Sequence, residues 1–451
     1  MKLTFFGGTK SVTGACYLLE TKKTRVLVDC GLRQGCDVCG EFNAKPFPFK
    51  PSSIDAVFVT HAHADHLGRI PKLVKEGFKG SIFSTAPTKD LAKIAFADSE
   101  RVIRYEAQEK GIQPLYDSQD VKTSLSLWKT VSYRNEFALG DMRVEFFNAG
   151  HVLGSSSILI QGDGKRIAFS GDLGNKFTPF ILPADPIQEA DYALVESAYG
   201  GRRHEIKQIG RDFLEDVVES LVKKKGTLLI PSFALERTQQ MLFDLNALVE
   251  NKRIPQIPVF LDSPLAIKLT GVYKKYSQDK DFFKESAIRL IHGGDAIFNF
   301  PGLELTQTSY QSRKIDKVDP PKIIIAGSGM SEGGRILRHE KRYLPDPSTT
   351  ILFVGFQVQG SLGREILEGA GEATIMEEKV RIRAEVSSVQ AYSAHADQIG
   401  LLEWVYPMRL SLKKAFVVQG EEDQAESLSH KIRDEFAVSA EVPSYGDSVV
   451  L

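Results

Sequence analysis

The run "AVFVTHAHADH", Ala56 to His66, constrains the fold of this chain more than any other feature. Its first five residues are apolar or β-branched and read as a strand. Four potential metal ligands follow at once: His61, His63, Asp65 and His66. Consecutive helical positions point about 100° apart, so a helix could aim only some of the four inward. A tight loop after a strand can converge them all. The chain has only nine histidines, and three in one loop need a reason. A polar surface loop is the plain one; an ion held by imidazoles and a carboxylate is the chemical one.

Similar short runs fill the first part of the chain: "KLTFFG", "ACYLLE", "TRVLVDCG", "RVEFFNAG", "SSILIQG", "RIAFSGD" and "YALVES". The "GDGK" at 162–165 should close a hairpin. One helical stretch, about Thr88 to Lys110, interrupts them. After Gly201 the rhythm changes to apolar strands ("TLLIPSF", "PVFLD", "KIIIAGS", "ILFVGF") alternating with helices, the first near 208–224. That alternation implies a parallel sheet covered on both faces. The stretch from Asp281 to Asp319 shows no clear periodicity. Short strands return from about Lys379. With 451 residues the chain is too long for one core, and its order suggests a second α/β domain inserted into the first: 1–205, 206–380 and 381–451.

Two further strand ends add to the first cluster. "NAGHVLGSS" places His151 at one, and "FSGDLGN" places Asp172 at another. Each alone is more often a turn residue; with the first four they make six candidate ligands, enough for two metals sharing Asp172. Asp29, in "VLVDCG", is either a turn-capping carboxylate or a group that fixes ligand orientation.

Charge narrows the partners. The 57 Lys and Arg balance 58 Asp and Glu, so nucleic acid would have to meet a local cationic patch. There is no membrane-length apolar run and no secretory leader pattern, so no membrane partner is expected and a soluble, cytoplasmic protein is. Cys16, Cys30, Cys36 and Cys39 form no disulfide framework and fit a reducing compartment. Cys36 and Cys39 read as two unpaired surface thiols, since one pair cannot close a zinc site. "GGTKSVTG" lacks the Gly-Lys-Ser/Thr ending of a nucleotide loop. His204, His292 and His430 lack partnering motifs and read as structural or exposed.

The order Asp29, "HAHADH", His151, Asp172 resembles the metallo-β-lactamase superfamily, an αββα sandwich with metals at its strand ends. "ALVESAYGGRRH" with Glu196, "FALERTQQ", "LDSPLA", "AGSGMSEGGRILRH", "VGFQVQGSLGR" and "YSAHADQ" with His395 resemble its β-CASP nucleases. That group includes bacterial and archaeal ribonucleases and the eukaryotic mRNA 3′-end processing endonuclease. The resemblance spans nearly the whole chain. It implies that 206–380 is the β-CASP domain and that 381–451 completes the lactamase domain.

The resemblance also implies roles. One zinc would take His61, His63 and His151, with Asp172 shared; a second would take Asp65, His66 and Asp172. The second normally adds the histidine of a "HGE" motif, where this chain reads "VVQGE" with Gln419. A neutral amide oxygen is the weaker ligand, so the second site should be looser, partly filled or suited to a harder ion such as Mn²⁺. RNA-acting members carry that histidine and DNA-acting members usually an aliphatic residue; Gln419 matches neither, while "SGMSEGGR" and "GFQVQGSLGR" resemble the RNA-processing branch. Asp65 belongs to the catalytic set, and His395, hydrogen-bonded by Glu196, would protonate the leaving sugar oxygen. The implied activity is a ribonuclease, endonucleolytic and also 5′→3′ exonucleolytic, leaving 5′-phosphate and 3′-hydroxyl ends. A DNA nuclease and a non-cleaving, RNA- or partner-binding subunit are the alternatives; a homodimer is compatible with either.

The inserted domain should clamp the strand. The backbone around Ser328 and Ser331 could cradle phosphates at a helix start, or be a plain helix start with small residues. Arg335, Arg338, His339, Lys341 and Arg342 could form a cationic RNA-binding strip, or a solvated helix face.

Overall fold

The computed structural model describes residues 1–35, 39–176, 178–204, 207–355, 357–389 and 392–451, with 207–210 described by backbone alone. The chain forms two compact units: Met1–Arg203 with His395–Leu451, and His204–Ala394.

The first unit begins with β1 (Lys2–Phe5), β2 (Tyr17–Glu20), β3 (Arg25–Val28), β4 (Ala56–Phe58), β5 (Ser81–Ser84), β6 (Trp128–Thr130), β7 (Phe137–Leu139), β8 (Met142–Asn148), β9 (Ser156–Gly162), β10 (Lys165–Phe169) and β11 (Tyr192–Glu196). The second unit holds β12 (Thr227–Pro231), β13 (Val259–Leu261), β14 (Leu303–Leu305), β15 (Lys322–Ala326), β16 (Thr350–Phe353), β17 (Glu372–Ile375), β18 (Glu378–Arg381) and β19 (Glu385–Ser388). The first unit then resumes with β20 (Lys414–Val418), β21 (Ser439–Glu441) and β22 (Ser448–Val450).

Among the described residues the first unit contains two seven-stranded sheets, β22-β1-β2-β3-β4-β5-β6 and β21-β20-β11-β10-β9-β8-β7. Period-2 alternation explains why they stack. In β20, Phe416 and Val418 join Phe5, Phe58, Phe146 and Phe169 in the core shared by the two sheets. Ala415 and Val417 point the other way, against Leu401 and Val405 of helix Gln398–Val405 and Leu428 and Ile432 of helix Glu422–Phe436. Each such large side chain contributes about 1.5–3 kcal/mol by leaving water. Asp163 and Gly164, both at positive φ, close the expected β9–β10 hairpin. The long helix runs Ala86–Lys110, starting earlier than its apolar pattern because Thr85 caps it by accepting from Thr88 N.

Functionally the direction of the strands matters most. β3 and β4 run parallel, as do β10, β11 and β20, and β8 shares the direction of β10 through two antiparallel pairings. Asp29, Thr60–His61, His151, Asp172, Glu196 and Gln419 all fall at or just past C-terminal strand ends.

The second unit is built on a six-stranded parallel sheet, β14-β13-β15-β12-β16-β19, with a β17–β18 hairpin beside it in sequence. The two compact units meet in sequence between Ala394 and His395. Residues 385–388 pair in parallel with β16, so this part of the returning short strands belongs to the second unit. Between Asp281 and Asp319 the chain forms helix Glu285–His292, strand β14 and helix Ser309–Lys314, each too short for a readable period. Cys39 is buried and disulfide-bonded rather than a free surface thiol; Cys36 lies outside the described residues. Among the described residues no helix is long and apolar enough to cross a membrane.

Candidate metal centre

β4 ends at Phe58, and the residues after it deliver His61 and His63 before a single helical turn, Ala64–Leu67, that carries Asp65 and His66. The tight loop expected here is thus partly helical. Its close approach to the end of β3 requires Gly31, where a Cβ would lie 1.5 Å from the Asp65 carbonyl oxygen.

Asp29 follows β3 in left-handed backbone, φ +61, which aspartate tolerates better than most residues. Its Oδ1 accepts from Thr60 N at 2.8 Å, and its Oδ2 from Thr60 Oγ1 at 2.8 Å and His66 Nδ1 at 2.7 Å. Asp29 therefore orients a histidine. Thr60 Oγ1 also lies 3.1 Å from His61 Nδ1. With both Nδ1 atoms so engaged, His61 and His66 present Nε2 inward. Thr60 was not anticipated, because a threonine ending a strand carries no distinguishing signal.

His61, His63, His151 and Asp172 converge. His63 Nδ1 lies 2.9 Å from His61 Nε2 and 3.2 Å from His151 Nε2. Asp172 Oδ2 is 3.6 Å from both His61 Nε2 and His151 Nε2. A tetrahedron with bonds of about 2.0–2.1 Å has edges of about 3.3 Å, and the distances of 2.9–3.6 Å bracket that value. This donor set fits a small divalent cation. Burial, then the neighbouring histidines, hold His61 well below the ordinary imidazole value, in its neutral ligand form. Burial would raise Asp172, but His66 and then His61 outweigh it and hold the carboxyl well below the usual range.

The remaining candidates lie on the other side of Asp172. His66 Nε2 is 3.2 Å from Asp172 Oδ1 and 3.8 Å from Asp65 Oδ2. Burial foremost, aided by the Asp172 carboxylate and opposed by His66, pushes Asp65 up to about 6. Gln419, just past β20, places its amide nitrogen 2.7 Å from Asp172 Oδ1 and 2.9 Å from His66 Nε2. An N–H group cannot ligate a cation, so this half does not fit a second ion as it stands.

Beside Asp172 lies an acid–base pair. His395 forms a β-bridge with Gly174, and its Nδ1 is 3.2 Å from Glu196 Oε1 and 3.9 Å from Asp172 Oδ2. Glu196 is fully buried at the end of β11, where Oε1 accepts from Leu173 N at 2.7 Å and Oε2 from Ala198 N at 3.1 Å. Burial raises its pKa and the His395 imidazole partly restores it.

The residues expected to bind phosphate are used inside the second unit. Arg335 bonds Asp262 Oδ1 at 2.6 Å and the carbonyls of Thr306 and Gln307. Arg338 bonds Asp316 Oδ2 at 2.6 Å and Ser312 O at 2.9 Å. His339 is fully buried, with Nε2 2.8 Å from Asp262 Oδ2. Ser331 is buried and donates to Glu340, while Ser328 Oγ accepts from Glu332 N. Lys341 pairs with Glu378 and Arg342 with Asp316. The expected strip is therefore a set of engaged cations.

Comparison with known proteins finds three family matches along the chain. Residues 12–199 match the metallo-beta-lactamase superfamily, 238–366 the Beta-Casp domain, and 379–443 the Zn-dependent metallo-hydrolase RNA specificity domain. The chain is 36% identical to a ribonuclease of Thermus thermophilus over 94% of each protein. It is 30% identical to an RNase J-like protein of Methanocaldococcus jannaschii over 98% of each. It is also 29% identical to the transcription termination factor FttA of that organism, across all of this chain and 71% of the factor. A crystal structure of a protein of unknown function from Enterococcus faecalis shares the fold, with a TM-score of 0.56 at 12% identity over 100% of this chain and 99% of that one.

Proposed function

Since this chain belongs to the β-CASP family of the metallo-β-lactamase superfamily, we propose that it is a zinc-dependent ribonuclease that cuts RNA internally and also degrades it 5′→3′. The observation that carries this reading is the convergence of His61, His63, His151 and Asp172 beside the His395–Glu196 pair.

Those four residues would hold the ion, whose chemistry when bound is Lewis acidity toward phosphate oxygens and water. The protein supplies the rest. Asp29 and Thr60 fix the imidazoles, so the donors keep their directions. Asp65, beside His66 and close to Asp172, completes the carboxylate wall of the site. Glu196 holds His395 by Nδ1, which directs proton delivery to Nε2 and hence to the departing sugar oxygen. Two backbone N–H groups, of Leu173 and Ala198, fix the position of that carboxylate. Matched 5′-labelled RNA and DNA, offered to chelated protein with and without zinc restored, test the reading. Cleavage of RNA only after zinc is returned is expected; undiminished cutting by chelated protein, or preference for DNA, overturns it.

A further inference from the structure

Asp65, His66 and Asp172 face one another as donors for a second cation would, yet Gln419 turns a nitrogen toward them. The direction of that amide is dictated by its neighbours. Asp172 Oδ1, at 2.7 Å, only accepts, so an amide oxygen there would meet another oxygen. His66, held by Nδ1 on Asp29, places its Nε2 2.9 Å from the same amide nitrogen. One NH₂ group thus donates to Asp172 and stands against His66, the two side chains that a second ion would have to share.

The backbone keeps the amide there. Gln419 is buried, in left-handed conformation at φ +52, with its N–H donating to Gly8 O at 2.7 Å and its carbonyl accepting from Ser197 N. Gly8 leaves room for the side chain: a Cβ at that position would lie 3.1 Å from Gln419 Cγ. To ligate a cation the amide would have to turn over, lose both hydrogen bonds and offer one neutral oxygen, the weaker kind of ligand for zinc.

We infer that this protein holds one tightly bound ion per chain, on His61, His63, His151 and Asp172, and that the Gln419 amide takes the place of a second. The inference rests on the metal-dependent reading above and specifies its stoichiometry. Gln419 acts as a positioning residue, tying Asp172 to His66 where a dinuclear centre would use a cation.

The test is metal content per chain after zinc loading and desalting, by elemental analysis, for wild type, Gln419→His and the near-isosteric Gln419→Glu. A cobalt-substituted absorption spectrum gives a second readout. One ion in wild type and two in either folded variant is the expected result. Two tightly held ions in wild type overturn the inference and leave the ribonuclease reading intact. Failure of both folded variants to gain an ion also overturns it, because the amide would not then be what keeps the second ion out. No ion in any of the three overturns the metal-dependent reading together with it.

Discussion

Two buried acid–histidine clusters sit at strand ends in this molecule, one in each unit, and they are completed differently. In the second unit Asp262, just past β13, accepts from Thr306 Oγ1, Ser312 Oγ, Arg335 Nη1 and His339 Nε2. Burial would raise that carboxyl, but these four partners hold it well below the usual range. In the first unit Asp172 meets His61, His66, His151 and the Gln419 amide, and among the described residues no lysine or arginine bonds it. Both clusters are buried and polar. Only the one without a permanent protein cation is shaped to take a cation from outside. Polar burial alone does not mark a functional site; an incomplete charge balance does.

The largest effect that tests this contrast is His151→Ala. Bound ion should become undetectable and RNA cleavage fall by about 10⁴-fold, while the melting temperature measured in chelator falls only by what one buried imidazole contributes to packing. A variant that kept its ion would break the comparison. Arg335→Ala should do the reverse. Removing the guanidinium leaves Asp262 short of its main counter-charge and costs about 4 kcal/mol of stability in urea unfolding, with ion content per folded chain unchanged.

The smallest effect concerns Glu340, fully buried in the second unit with one carboxylate oxygen lacking a hydrogen bond. Burial pushes it up to about 7 from an ordinary 4.5, against the Ser331 hydroxyl. The folded state therefore binds more protons than the unfolded state between those values. Stability is full below about pH 4.5 and is lost as pH rises through about 7, by at most about 3 kcal/mol. Glu340→Gln removes this dependence, so its advantage in melting temperature over wild type should grow from pH 5 to pH 8. A constant difference would show that Glu340 is balanced after all.

Much of the first unit was legible because its strands end abruptly in ligand-type residues, and a strand end fixes where the next side chain goes. His61, His63, Asp65, His66, His151 and Asp172 could be placed on one rim from that alone. What failed depended on partners remote in sequence. Arg335 reads as a surface cation until Asp262, 73 residues earlier, is seen beside it. Residues 385–388 alternate like the strands of either unit, and only their pairing with β16 assigns them. Gln419 lies just past β20, but the direction of its amide is set by Asp172, far away in sequence, which no local pattern encodes.

The first unit is discontinuous in the chain, and synthesis therefore assembles its site in two instalments. The imidazoles and carboxylate that could hold an ion all precede Arg203, whereas His395 and Gln419 follow the whole second unit. β20 must also pair with β11 before that rim is closed. A nascent chain still tethered to the ribosome thus presents the candidate ligand set before the whole second unit has been made, and the candidate proton donor only after it.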